Sequence, residues 1–355
     1  MDDFAGLRSY LDGQAAFCRG SGSPFSALAV EQMAARVGEG GLYDAAFAPW
    51  RRATGREAFG DAAGLRLLGA FHYLALSGRA PELAALYPPA DSPQPAILAA
   101  ALADALAAHP DIIGGFMASP PQTNEVGRAF CLVGGFLTVA AETGLPLRCL
   151  ELGASAGLNM NWDLYGYRFG EEARWGDPAA PVQLAGAWTG VAPPAVTVRV
   201  AEKRGCDVNP IDVADEDQAL RLQSYVWAGQ DARLERLRGA IALKRATGGA
   251  PDLADAGDWC EAHVHPAPGL ATVVYHSVFL QYPPAAVQAR IRSAIAAAGA
   301  AATTAAPLAW LRMEPDPDDL GAPMEVRLTF WPGGGERLLA RVHPHGASAA
   351  WLCGA

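Results

Sequence analysis

The sequence predicts an α/β protein: an all-helical N-terminal region followed by a doubly wound, largely parallel sheet. Three observations carry this reading. Up to about residue 145 apolar residues recur at helical spacing, with no alternating run. From 146 onward short β-type apolar runs alternate with helical stretches, and the last two runs are joined by a turn-rich link. The expected domains are therefore 1–145, a helical cap, and 146–355, the sheet domain.

The helices come first. "PFSALAVEQMAARVGEG" spaces Leu28, Met33 and Val37 along one helix, which stops at Gly38. "GLRLLGAFHYLALSG" sets Leu65, Leu68, Phe71, His72 and Leu76 on neighbouring faces, and "PAILAAALADALAAH" is made of strong helix formers. Then come the β-type runs: Leu147–Leu152, Val196–Val200, Ala271–Leu280, Leu308–Met313, Met324–Trp331 and Arg337–Val342. Helical stretches at Glu216–Arg245 and Pro284–Ala298 separate some of them. Near-continuous apolar strands alternating with helices point to a parallel sheet covered on both faces. "WPGGGER" between the last two runs predicts an antiparallel hairpin. By analogy the layout is Rossmann-like and methyltransferase-type.

Composition narrows the function. The chain of 355 residues is 51% hydrophobic and 18% charged, enough apolar residue for a large core. The net charge of −10 disfavours nucleic acid, whose phosphates need a clustered basic face. Apolar runs are short and interrupted, so no membrane span is expected, and "MDDFAGLRSYLDG" lacks the pattern of a signal peptide. Cysteines at 18, 131, 149, 206, 260 and 353 form no C-x-x-C pair, which suits reduced thiols in a cytoplasm. A small molecule is the expected partner, the oligomeric state being open.

The stretch "CLELGASAGLN", Cys149 to Asn159, supports two chemistries. As G-x-S-x-G it is a nucleophile elbow with Ser155 attacking, and Asp316 or Asp318 with His343 or His345 completes a triad in the required order. An elbow, however, normally follows several parallel strands, and here only helices precede it. As E-x-G-x-S-x-G it is a cofactor turn. Glu151 sits at the carboxyl end of a strand, Gly153 makes the tight turn, and small Ser155 lets a ligand approach. Gly157 then lets the next helix pack closely, its N-terminus facing a carboxylate such as that of S-adenosylmethionine, with Asn159 beside it.

Later acids extend the second reading. "RGCDVNPIDV" places Asp207 near the end of the next strand, where it can accept ribose hydroxyls; Glu202 is the other candidate, and an Asx turn the plainer role. Asp207 lies about fifty residues beyond Gly153, against about twenty in a simple βαβ unit, so "NWDLYGYRFGEEARWGDP" is an insertion. In "DAGDWC", Asp255 or Asp258 can accept from an adenine amino group or cap a helix. "ATVVYHSVFLQYPP" delivers His276, a candidate general base or a buried structural histidine, with Ser277, Gln281 and Tyr282 toward substrate. In "PQTNEVGR", Thr123 or Asn124 can cap a helix through Arg128; the sharper reading has Asn124, Glu125 and Arg128 closing over the ligand, Glu125 as a catalytic group. "HVHP" and "HPHG" lack the neighbouring ligands of a metal site, so no metal is expected.

"PQTNEVGR", "LELGASAGLN", "WGDP", "RGCDVNPIDV", "VVYHSVFLQY" and "WLRMEP" together resemble the bacterial family called domain of unknown function 2332, over nearly the whole chain. The resemblance implies a methyltransferase-like fold with a helical N-terminal region and implies no demonstrated reaction. Ser155 stands where the general methyltransferase pattern has its middle glycine. The reading is an S-adenosylmethionine-dependent methyltransferase acting on a small molecule. The alternatives are a serine hydrolase and a non-catalytic protein that binds a nucleoside cofactor.

Overall fold

The structure is a computed structural model that describes residues 2–171, 173–316, 319 and 322–352. Asp318 and Cys353 lie outside the described residues. The chain divides into two units, Met1–Thr123 with Asp215–Glu235, and Asn124–Ala214 with Arg236–Ala355. This differs from a break at 145: the helix Arg128–Thr143 packs on the sheet of the second unit, and 215–235 joins the first.

The first unit is helical, built around Ala63–Leu76, which is apolar on most of its circumference and buried along most of its length. Gly69 is needed there because a Cβ would stand 2.6 Å from the Tyr225 ring. The buried polar groups of this helix are satisfied. Arg66 donates to the carbonyls of Asp61 and Met117 (both 2.9 Å), and His72 Nδ1 lies 3.1 Å from the Ser224 carbonyl.

The second unit holds an eleven-stranded sheet. In chain order its strands are β1 (Leu147–Leu152), β2 (Gly166–Phe169), β3 (Ala173–Trp175), β4 (Gln183–Thr189), β5 (Val200–Asp207), β6 (Asp252–Leu253), β7 (Ala271–Ser277), β8 (Leu308–Glu314), β9 (Met324–Trp331), β10 (Gly335–Val342) and β11 (Ser348–Trp351). Across the sheet they run 3-2-4-11-10-9-8-7-1-5-6. The five strands 8-7-1-5-6 are parallel, and β9 and β10 form the expected antiparallel hairpin.

Both faces of the parallel part are covered. Alternate residues of β7 separate them: Val274 packs with Ile291 and Ile295 on one face, while Tyr275 meets Phe136 edge-on at 4.9 Å on the other. Gly135 lets the helix Arg128–Thr143 approach β8, since a Cβ would stand 2.4 Å from Leu311.

Three expectations need correction. The strand after the insertion is Val200–Asp207, not Val196–Val200; Glu202, Lys203 and Arg204 are tolerated because only two-residue β6 lies beyond it. The stretch Glu216–Arg245 is two helices, Glu216–Ser224 and Asp231–Thr247. No α-helix follows the glycine turn: residues Asn159–Leu164 form a 3₁₀ turn, kinked at Asn161, and the insertion adds β2, β3 and β4.

Candidate functional site

From β1 the chain builds outward to β5 and β6, then returns across β1 to build β7 and β8 on the other side. The carboxyl ends of β1 and β7 thus flank a topological switch point, where open α/β sheets bind ligands. The glycine turn sits there. Gly153, Ser155 and Gly157 all take left-handed φ values, +66°, +53° and +68°. For Ser155 that is a strained backbone, of order 1–3 kcal/mol, held by its surroundings.

Asp207 supplies much of that hold. Its Oδ2 accepts from the Ser155 amide at 2.8 Å and its Oδ1 from the Asn209 amide at 2.9 Å. The Ala154 amide donates to the Cys206 carbonyl and the Ile211 amide to the Ser155 carbonyl, so the loops after β1 and β5 are laced together. The Asx turn is thus real, on Asp207 itself. Asp207 remains half-exposed, and each oxygen keeps a second lone pair.

The two glycines serve the protein's own packing. A Cβ on Gly153 would stand 2.3 Å from the Phe279 ring, and one on Gly157 would stand 2.9 Å from both Lys244 Nζ and Met160 Sδ. Lys244 is buried, and burial lowers its pKa; its ammonium donates to the Gly249 carbonyl at 2.6 Å.

Glu151 lies beneath the turn, 3% exposed, its Oε2 accepting from the Tyr275 hydroxyl at 3.2 Å. Burial pushes its pKa up to about 8, against the opposing pull of that hydrogen bond and of Lys244. Asn159 is equally buried; its Nδ2 donates to the Glu125 carbonyl, and its Oδ1 has no partner.

The 124–128 segment does reach this turn, within the second unit. Asn124 Oδ1 accepts from the Leu158 amide at 2.9 Å, and Glu125 Oε1 from the Gly127 amide at 3.0 Å. Arg128 donates to the carbonyls of Pro344 and Ser277. The helix cap expected at Thr123 or Asn124 is absent: the helix begins at Arg128 with Gly127 before it and no capping side chain. Asn124 satisfies the glycine turn instead.

His276 lies on β7. Its Nδ1 lies 2.6 Å from Glu314 Oε1, and its Nε2 accepts from the Trp310 indole N–H at 3.0 Å. With both nitrogens engaged and the residue fully buried, His276 has the surroundings of a buried structural histidine, the other role its sequence allows. Strand alternation explains it: Tyr275, not His276, faces Glu151. Asp255 and Asp258 are also occupied. Asp255 caps the helix Ala256–His263 by accepting from Gly257 and Asp258 amides, and exposed Asp258 pairs with Arg290. Gln281 and Tyr282 are exposed on the loop after β7.

The family description "uncharacterized protein conserved in bacteria", DUF2332, matches residues 8–351. The chain belongs to this family. No curated protein and no solved structure matches it. In this DUF2332 member, sequence reasoning missed Lys244, Tyr275, Phe279 and Glu314. Lys244 was detectable: it continues the buried stripe Leu237, Ala240, Ile241 at helical spacing, where a lysine is out of place. Glu314 accepts from His276 and from the amides of Phe279 and Leu280, which pins the loop carrying the Phe279 ring. Among the described residues no group of three or more His, Cys, Asp or Glu is placed to hold a metal ion, and no single helix is long and apolar enough to cross a membrane.

Proposed function

We propose that the protein binds S-adenosylmethionine at the carboxyl edge of β1 and β5 and methylates a small molecule. One observation carries the reading: half-exposed Asp207 stands at the end of β5, locked to the strained Ser155 turn beside the switch point. A carboxylate so held, with a lone pair left on each oxygen, fits the two hydroxyls of a ribose. The fit is to the nucleoside end. With only a kinked 3₁₀ turn after Gly157, no α-helix dipole serves a carboxylate, and Asp255 and Asp258 are engaged elsewhere.

When bound, the cofactor supplies an electrophilic methyl group. The chain's part is positioning: Asp207 fixes the ribose, the 153–157 backbone sets its approach, and buried surroundings exclude water. Calorimetry with S-adenosylmethionine and S-adenosylhomocysteine tests this. Asp207→Asn keeps an acceptor for Ser155 and is expected to weaken binding about tenfold. No binding to the wild type at millimolar concentration sinks the proposal, and unchanged affinity in Asp207→Asn removes Asp207 from it.

A serine hydrolase is favoured by one observation, the left-handed φ and unpartnered buried hydroxyl of Ser155. It lacks an imidazole on that hydroxyl. His343 and His345 lie between β10 and β11, where His343 Nδ1 accepts from the His345 amide, and neither bonds Ser155. Fluorophosphonate labelling that disappears in Ser155→Ala would decide for it. Binding of the cofactor without turnover on any acceptor would leave the non-catalytic reading.

A further inference from the structure

The loop after β7 rests on the glycine turn in a strained conformation. A Cβ on Gly153 would stand 2.3 Å from the Phe279 ring, and the nearest atoms around that position all belong to this ring. The ring therefore fills that side of Gly153 and keeps other groups off it. Val278, the residue before it, has a φ of +52°. A β-branched residue in the left-handed region is an outlier, kept there only by its surroundings.

One carboxylate supplies most of that hold. The Ser277 carbonyl accepts from Arg128 at 3.3 Å, and the Val278 amide donates to the Met313 carbonyl at 2.8 Å, so the strand is anchored as far as Val278. Beyond it, among the described residues, the backbone of 279–282 is hydrogen-bonded to the rest of the protein only through Glu314. That side chain accepts from the amides of Phe279 at 2.9 Å and Leu280 at 3.3 Å. The Tyr282 amide merely folds back on the Phe279 carbonyl. Leu280 is buried and anchors the far side, whereas Phe279 is half-buried and Tyr282 exposed. The Phe279 ring can thus move without unpacking the core.

We propose that Val278 and Phe279 form a gate over the glycine turn. In the closed state the ring covers Gly153. In the open state Val278 leaves the left-handed region, Glu314 releases the Phe279 amide, and the ring swings off the turn. Opening relieves backbone strain but gives up ring contacts and a charge-assisted hydrogen bond. These opposing terms are of similar size, so the gate opens as a local event and not with global unfolding. The gate rests on the cofactor reading for what enters: S-adenosylmethionine finds Gly153 clear only in the open state. Closure then lowers the apparent affinity by the fraction of molecules that are open.

Two measurements test the gate, one of them without ligand. In the ligand-free protein the Phe279 amide should exchange hydrogen at least about a hundredfold faster than the Val274 and Tyr275 amides, after correction for intrinsic rates. Glu314→Gln should speed that exchange about tenfold further. Equal protection of Phe279 and β7 overturns the gate, whatever binds. In calorimetry, Phe279→Ala should bind S-adenosylhomocysteine about tenfold more tightly than wild type, because no ring competes for the turn. Unchanged or weaker binding overturns the gate and leaves the cofactor reading standing. Fast local exchange at Phe279, with no S-adenosylhomocysteine binding at millimolar concentration in wild type or Phe279→Ala, keeps the gate and discards the cofactor reading. Should Phe279→Ala fail to fold, Glu314→Gln serves instead, with affinity expected to rise about threefold or more; unchanged affinity there overturns the proposal.

Discussion

Gly153→Ala should be costly because of one aromatic ring, and the cost should vanish in part when the ring is removed. Two terms add. A left-handed φ of +66° costs a residue with a Cβ about 1–2 kcal/mol. The new methyl would stand 2.3 Å from Phe279, an overpacking worth about 1–3 kcal/mol. The sum is about 2–5 kcal/mol. In a Phe279→Ala background only the backbone term survives, so the two substitutions should couple by about 1–3 kcal/mol. Urea unfolding of wild type, both single variants and the double variant, followed by tryptophan fluorescence, closes the cycle. Additivity within about 0.5 kcal/mol would refute the reasoning, because distant, independent sites behave that way. The outcome bears on function: a glycine kept for Phe279 is a packing residue, and its presence is no evidence for close approach by a ligand.

Three further outcomes follow from the same geometry. Glu151 loses its proton near the ordinary carboxylate value when unfolded and near pH 8 when folded, so the folded state binds more protons in between. Stability should therefore fall as pH rises from about 4.5 to about 8, and Glu151→Gln should flatten that fall in pH-dependent melting curves. Lys244→Met removes a charge that favours ionised Glu151, so the same window should move to higher pH. His276→Ala should cost about 2–4 kcal/mol, since it leaves a cavity and strands Glu314 and the Trp310 N–H, yet should leave S-adenosylhomocysteine affinity within about twofold. A tenfold loss of affinity at unchanged melting temperature would restore His276 to the site.

Much was legible in the residues alone because it depends on local period and chain order. The helical spacing of the N-terminal region, the apolar strands β1, β7 and β8 and the β9–β10 hairpin are all local properties. So is the placement of Glu151 and Asp207 at strand ends. The rest depends on what lies across the fold. Strands β2 and β11 are four residues each, and with β4 they pair with neighbours distant in sequence, so no local pattern announces them. The face on which His276 lies is settled by pleat and register, and a single-residue difference separates a buried histidine from a tyrosine that reaches Glu151. Whether a glycine makes room for a ligand or for Phe279 is a question of three-dimensional proximity. The sequence by itself determined an α/β chain with a glycine-rich, acid-flanked turn at a strand end. Only the tertiary structure decided that Phe279 and Lys244 pack against that turn, that His276 is held by Glu314 and Trp310, and that the Asn159 amide oxygen is buried without a partner. Composition and periodicity record which residues are apolar, whereas hydrogen-bond satisfaction depends on partners brought together from more than a hundred residues away.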